Sequence, residues 1–131
     1  MVEILRKEVS TNFDDTVQLV EEAVKAEGFS VLLVKSIDEV IKNKLGLKYY
    51  PRYTTILACG PDLAKMALDV SKDVGTLFPC SFVVYEENEK VIVAHVSIMK
   101  ASVELSIVNS ELMAPVIEKT SEYVQAVWDK I

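Results

Sequence analysis

The chain has 131 residues, half of them hydrophobic, with only four glycines and four prolines. This composition predicts one packed domain over residues 1–131 and excludes a disordered chain. The formal net charge of −6 argues against nucleic-acid binding, because phosphate backbones are bound by clustered lysine and arginine. Charges lie too early for a signal peptide and no apolar run approaches ~20 residues. We therefore expect a cytoplasmic protein that does not bind membranes and whose thiols stay reduced.

A first strand and helix are predicted over the first 28 residues. Val2 to Val9 indicates a strand, and Thr11 or Asn12 is of a residue type that caps helices. Gly28 is expected to end the helix, because glycine readily adopts the left-handed conformation found after a helix C-terminus. The apolar residues at helical spacing are Phe13, Val17, Val20, Ala23 and Val24.

A second strand and a short helix are predicted between residues 29 and 46. Phe29 to Val34 is a continuous apolar run, which is typical of a strand buried on both faces. Ser36 and Glu39 have the spacing of a capping box, and the helix that they begin would end at Gly46. The positions expected to be buried on this helix are Ile37, Val40, Ile41 and Leu45.

The second half of the chain predicts a strand, a helix, a hairpin and a final helix. Pro51 places the start of that strand at a sheet edge or bulge, because proline cannot donate to a strand ladder. Pro61 suits the first turn of a helix, where the missing N–H is harmless. The predicted elements are a strand at Tyr49 to Ala58, a helix from Pro61, a hairpin of Ser81 to Glu86 and Lys90 to Ile98, and a helix capped by Asn109 or Ser110. The residues on the apolar face of this last helix are Leu112, Val116, Tyr123, Val127 and Ile131.

This order of elements favours an α+β fold, with helices packed on one face of a mainly antiparallel sheet. One hairpin combined with helical connections is the reason for that preference. A Rossmann-type parallel sheet is the alternative. It is weakened because the turn after the first strand, Val9-Ser10-Thr11-Asn12, lacks the glycines that a dinucleotide-binding turn requires.

Two cysteines lie at predicted strand ends. Cys59 ends one strand just before Gly60-Pro61, and Cys80 begins the next strand after Pro79. The N–H groups and positive dipole end of the helix that starts at Pro61 would stabilise a thiolate at Cys59. Cys59 is therefore the best candidate for a catalytic or redox-active residue. The alternative is that both cysteines are small buried apolar residues.

A metal ion is a second possible ligand for this region. The candidate metal ligands are Cys59, Cys80 and His95, the single histidine of the chain. Two cysteines are too few for a structural zinc site, and their spacing is not that of a zinc module. His95 alternates with Val91 and Val93 on one strand face, a pattern also typical of a structural histidine. A Cys–His nucleophile pair is a further alternative.

Aromatic residues form two more candidate surfaces. The segment Tyr49-Tyr50-Pro51-Arg52-Tyr53 combines rings with one cation, which suits stacking on a planar ligand or a dimer contact. Ordinary half-buried strand residues are the alternative there. Tyr123 and Trp128 lie on the last helix and are expected in the core or in a dimer interface.

Four stretches of the sequence carry a family resemblance. They are Glu27-Gly28-Phe29; Ile37-Asp38 with Lys44-Leu45-Gly46; Ala58-Cys59-Gly60-Pro61 with Ala64 and Leu68; and Gly75-Thr76-Leu77-Phe78-Pro79-Cys80. Together, over about residues 3–125, they resemble the bacterial and archaeal family called domain of unknown function 302. The resemblance implies a fold related to that of the TATA-binding protein and a homodimer. The biochemical function of that family is not established.

The chain also departs from the family pattern at three positions. Gly60 replaces the usual asparagine, Leu57 stands where glycine is common, and Lys65 stands where several members carry histidine or an aromatic residue. We expect a homodimeric domain that binds a small ligand or a metal ion near Cys59 and Cys80. The alternatives are a thiol-dependent redox protein or enzyme that uses Cys59, and a purely structural interaction protein. The expected ligand-binding residues are Cys59, Cys80, Pro61 and Lys65.

Overall fold

The computed structural model describes residues 2–131 as one five-stranded sheet with five α-helices and a 3-10 helix. The strands are β1 (Ile4–Val9), β2 (Ser30–Ser36), β3 (Tyr53–Cys59), β4 (Cys80–Glu87) and β5 (Lys90–Val96). The helices are α1 (Phe13–Ala26), α2 (Ile37–Leu45), α3 (Pro61–Val70), α4 (Ile98–Glu104) and α5 (Ser110–Asp129), and the 3-10 helix (Lys72–Leu77) follows α3. None of the helices in this described part of the chain is long and apolar enough to cross a membrane.

The sheet has the strand order β1-β5-β4-β3-β2. Each neighbouring pair of strands is antiparallel. The prediction of an α+β fold with an antiparallel sheet is thus confirmed, and the alternative of a parallel Rossmann-type sheet is wrong. β1 and β2 form the two edges, so β3, β4 and β5 carry the centre of the domain.

Helices cover one face of this sheet. On β3 the buried residues are Thr54, Ile56 and Ala58, while the residues between them are half-buried, as expected when successive side chains point to opposite faces. The covered face contributes Phe82 and Val93 to the main core. The residues that pack there from the helices are Phe13, Val20 and Val24 of α1, Leu63 of α3, and Val124 and Val127 of α5.

The predicted hairpin and the predicted helix caps at Asn12 and Asn109 are present. The Asn12 side chain accepts a hydrogen bond from the Asp15 N–H at 2.9 Å, and Asn109 caps α5 by accepting from the Glu111 N–H at 2.8 Å. In the hairpin, β4 and β5 are joined by Asn88 and Glu89, which have φ of 52° and 64°. Two consecutive left-handed residues match the right-handed twist of the strands that they connect.

The predictions for β2 and α2 are wrong in their burial. β2 is an edge strand, in which Leu32 is 58% and Leu33 49% exposed, so Phe29 to Val34 is not buried on both faces. On α2 the expected core residues Val40 and Leu45 are exposed. The residue buried there is Asp38, which accepts a hydrogen bond from the Tyr53 N–H at 2.9 Å. An apolar run alone does not distinguish an edge strand from a central one.

Three further details differ from the sequence-based expectations. The Ser36 side chain makes no capping hydrogen bond, so the capping box is absent. β5 ends at Val96 and not at Ile98, because the Ser97 side chain caps α4 by accepting from the Lys100 N–H at 3.2 Å. On α5, Leu112 is exposed and Met113 takes its place in the core.

Candidate functional site

The register of the central strands brings both cysteines and the histidine to one end of the sheet. Ala58 pairs with Cys80 across β3 and β4, and Phe82 pairs with His95 across β4 and β5. Because neighbouring strands run antiparallel, the C-terminal end of β3, the start of β4 and the C-terminal end of β5 meet. Cys59, Cys80 and His95 all line one cavity at that end.

This cavity, here called the recess, is a half-open apolar space between the sheet end and the helices. Its cavity volume is about 30 Å³, and the empty space between its atoms, with open solvent included, is about 430 Å³. A cavity of 30 Å³ has room for about one water molecule. Of the described residues that line it, none carries a charged Asp, Glu, Lys or Arg side chain. Its walls include Phe29, Leu63, Phe78, Met99 and Val124.

His95 is held in one orientation on the wall of the recess. Its side chain is 4% exposed, and its ring stacks on Phe82 with centroids 4.1 Å apart. Nδ1 lies 2.8 Å from the Ser81 carbonyl oxygen. A carbonyl only accepts, so Nδ1 carries the proton and donates, which leaves a lone pair on Nε2. This Nε2 atom has no hydrogen-bond partner among residues 2–131.

The imidazole of His95 is neutral at pH 7. Burial lowers its pKa below the usual 6.5, because the buried ring cannot keep a charge hydrated, and the bond to Ser81 opposes this effect only in part. The buried Nε2 atom is therefore a hydrogen-bond acceptor and not a cation.

Thr120 is the second polar group without a partner. It lies on α5, is 8% exposed, and its Oγ1 makes no hydrogen bond within the described part of the chain. Leaving a buried hydroxyl unpaired costs about 1–3 kcal/mol. Thr120 and His95 also line a groove of about 290 Å³ on the outer side, together with Glu3, Lys100 and Gln125.

The thiol of Cys80 is protonated at neutral pH. Its Sγ donates to the Ala58 carbonyl at 3.1 Å. The pKa of Cys80 is raised to about 11. Burial is the larger cause, and the electrostatic effect of the nearby Cys59 is the smaller one. Neither Cys80 nor Cys59 is in a disulfide. A protonated thiol is a poor nucleophile and a poor metal ligand.

The structure does not gather a set of metal ligands. Within residues 2–131, no group of three or more His, Cys, Asp or Glu side chains is placed to hold a metal ion. Cys59, Cys80 and His95 share the recess, but the protonated Cys80 and the carbonyl-bound Nδ1 of His95 leave few donor atoms for a cation.

Two of the predicted ligand-binding residues lie outside the recess. Pro61 occupies the first turn of α3 and is exposed. The Lys65 side chain is 78% exposed and its Nζ pairs with Asp69 at 2.7 Å. The helix periodicity of α3 explains this result, since its inward positions are Leu63 and Ala67 and not Pro61 or Lys65.

Of the aromatic segment, Tyr49 and Tyr50 are exposed, whereas Arg52 and Tyr53, like Trp128, make contacts within the chain. The Tyr53 ring stacks on Tyr85 with centroids 5.6 Å apart. Arg52 pairs with Asp14 and covers the Phe13 ring at 4.1 Å. Trp128 packs against the main core and lies under the Lys7 ammonium at 5.1 Å.

Sequence reasoning missed Thr120, although a signal for it exists. Val116, Thr120 and Val124 recur every four residues along α5, so Thr120 is a polar residue within an apolar stripe. A polar side chain in such a position is either paired inside the core or faces a ligand or water.

We expect the substitution Thr120→Val to raise the free energy of unfolding by about 1 kcal/mol, because it replaces an unpaired buried hydroxyl by a methyl group of similar shape. Urea unfolding monitored by circular dichroism measures this change.

The matched control is Thr16→Val. Thr16 is also buried, but its hydroxyl donates to the Asn12 carbonyl at 2.7 Å. That substitution should destabilise the protein by a similar amount. Equal destabilisation by both substitutions would contradict the assignment of Thr120 as unpaired.

Comparisons with known proteins agree with the resemblance drawn from the sequence. A family model described as "Domain of unknown function DUF302" matches residues 5–131. Among solved structures, the chain is similar to an uncharacterised conserved protein DUF302 from Bacillus stearothermophilus. That similarity has a TM-score of 0.85 and 26% sequence identity over 97% of this chain and 96% of the other. No curated protein matches the chain. The chain therefore belongs to the DUF302 family.

Proposed function

We propose that this protein is a homodimeric domain that binds a small uncharged molecule in the recess beside Cys59, Cys80 and His95. The observation that carries the proposal is an apolar, half-open space without charged walls at one end of the sheet. Ligand sites in proteins are typically concave, mostly apolar and equipped with a few convergent polar groups. The recess combines apolar walls with Ser97, Thr120 and His95.

The chemistry of the walls supports an uncharged ligand. A charged molecule that enters an apolar space loses its hydration, and this loss is large unless an opposite charge compensates. In the recess the Cys80 thiol and the His95 imidazole are both neutral at pH 7. A neutral molecule meets no such cost.

The same observations weigh against Cys80 as a metal ligand or as a nucleophile. A cysteine binds metals or attacks substrates as a thiolate, and the pKa of Cys80 near 11 keeps this thiol protonated. Thiol chemistry that begins at Cys59 is the alternative function. We place the small-ligand function first because of the apolar, uncharged walls of the recess.

Filling the recess tests the proposal directly. Ala64 is a half-buried α3 residue that lines the recess, so Ala64→Phe should occupy the space that a ligand needs while keeping the helix intact. We expect wild-type protein to be stabilised by members of a panel of small uncharged aromatic compounds and alcohols, because a ligand that binds only the folded state raises the melting temperature. Ala64→Phe should lose at least tenfold in affinity for each such compound, measured by thermal shift and by NMR titration.

The matched control is Ala126→Phe. Ala126 is also half-buried on a helix, α5, but it is not among the residues of the recess. This variant should bind the panel as the wild type does. If no uncharged compound stabilises the wild type, or if both variants bind equally well, the proposed function is wrong and a structural or interaction role becomes the better explanation.

The homodimer part of the proposal is supported by the uncovered face of the sheet. A shallow depression there, here called the open face, is lined by Ile4, Arg6, Tyr53, Val83, Tyr85, Glu87 and Ala94. Its aliphatic side chains are Ile4, Val83 and Ala94, and Ile4 is 50% exposed. Exposed apolar patches with a polar rim mark interaction sites. The face carries one cation and one anion, Arg6 and Glu87, so two copies related by a two-fold axis can place each charge against its opposite.

We expect the substitution Ile4→Lys to convert the dimer into monomers, because it adds a positive charge beside Arg6 on the open face. Sedimentation velocity over a range of protein concentrations measures the association. The control is Leu112→Lys, which changes an exposed leucine on α5 that lies away from this face and should leave the dimer intact. A monomeric wild type would contradict the homodimer, and an Ile4→Lys dimer would contradict the choice of surface.

A further inference from the structure

We propose that the ligand of the recess carries a hydroxyl group, which donates a hydrogen bond to His95 Nε2 and accepts one from the Thr120 hydroxyl. This inference rests on the proposed function and specifies the chemistry of its ligand. It comes from two buried polar atoms, His95 Nε2 and Thr120 Oγ1, that have no partner within residues 2–131 and belong to residues of the same recess.

The requirement for a donor comes from the fixed tautomer of His95. The ring is clamped between its stack on Phe82 and its Nδ1 contact with the Ser81 carbonyl. Moving the proton to Nε2 would place the Nδ1 lone pair against a carbonyl lone pair at 2.8 Å, which is repulsive. Nε2 is therefore an acceptor in every favourable arrangement, and only an O–H or N–H group satisfies it.

The ligand atom that donates to Nε2 also has to satisfy Thr120. A threonine hydroxyl has one proton to donate and two lone pairs. A hydroxyl on the ligand has the same capacity, so its O–H points to Nε2 while its oxygen accepts from Thr120. A carboxylate fails at Nε2, because two acceptors would face each other. An ammonium group fails because no carboxylate lines the recess among the described residues.

The dimensions of the recess limit the polar end of such a ligand. The cavity volume of about 30 Å³ leaves room for a group about the size of one water molecule, such as a hydroxyl. The walls that surround this group are apolar and include Leu63, Phe78 and Met99. The inferred ligand class is an uncharged alcohol or phenol with a compact apolar body.

Phenol and toluene make a matched pair of probes, because they have nearly the same shape and differ in one hydroxyl group. We expect both to bind wild-type protein in NMR titrations. Phenol should bind about 5- to 100-fold more tightly, the range of two net hydrogen bonds. In Thr120→Val this preference should fall to about 2- to 10-fold, the range of the one bond to Nε2 that stays, while the toluene affinity stays unchanged. As a readout that needs no variant, phenol but not toluene should shift the 15N signal of His95 Nε2.

The possible outcomes separate the two proposals. If phenol and toluene bind equally and neither moves the Nε2 signal, the recess binds apolar molecules but the hydroxyl inference is wrong. If neither compound binds at millimolar concentration, the hydroxyl inference and the proposed function both lose their basis. If phenol is preferred equally by wild type and Thr120→Val, with an unchanged Nε2 signal, its hydroxyl contacts other groups and the inference is also wrong.

Discussion

The antiparallel pairing of β4 with its two neighbours decides where the groups of the candidate site lie. β3 places Ala58 opposite Cys80, and β5 places His95 opposite Phe82. A shift of one residue in either register would send the affected side chains to the other face of the sheet. The recess therefore depends on the hairpin turn at Asn88 and Glu89, whose left-handed conformations fix the pairing of β4 with β5.

The burial of His95 and Cys80, in a recess without charged side chains among its described residues, determines the chemistry of this site. His95 and Cys80 are the kinds of residue that catalyse reactions when they are ionised or held near a partner charge. Here burial acts on both in the direction of the neutral form, lowering the pKa of His95 and raising that of Cys80. What remains is a set of neutral hydrogen-bonding groups in an apolar wall.

Local patterns in the sequence predict much of the fold. The helix stripe of α1, the caps at Asn12 and Asn109, the turn at Gly28 and the β4–β5 hairpin were all readable from spacing and residue type. The sequence offered Cys59, Cys80 and His95 as candidates for one pocket, and all three line the recess.

Other features depend on strand order and tertiary packing, which local patterns do not contain. The run from Phe29 to Val34 is equally compatible with an edge strand, and only the final order of strands exposes Leu33. α4 begins directly after β5, so its residues were assigned in part to the strand. Lys65 was expected at the ligand because of family likeness, whereas the helix rotation turns it toward solvent. The polar position of Thr120 in the apolar stripe of α5 is visible in the sequence, but its place beside the recess comes from tertiary packing.

The state of His95 tests the central claim most directly, because this chain has a single histidine and its two ring nitrogens give separate 15N NMR signals. In ligand-free protein we predict a neutral ring with its proton on Nδ1 at pH 7. As the pH is lowered, the ring should take up its second proton only below pH 6.5, since burial lowers the pKa. A proton on Nε2, or a titration midpoint at or above 6.5, would contradict the account of the recess as a neutral site with a bare acceptor.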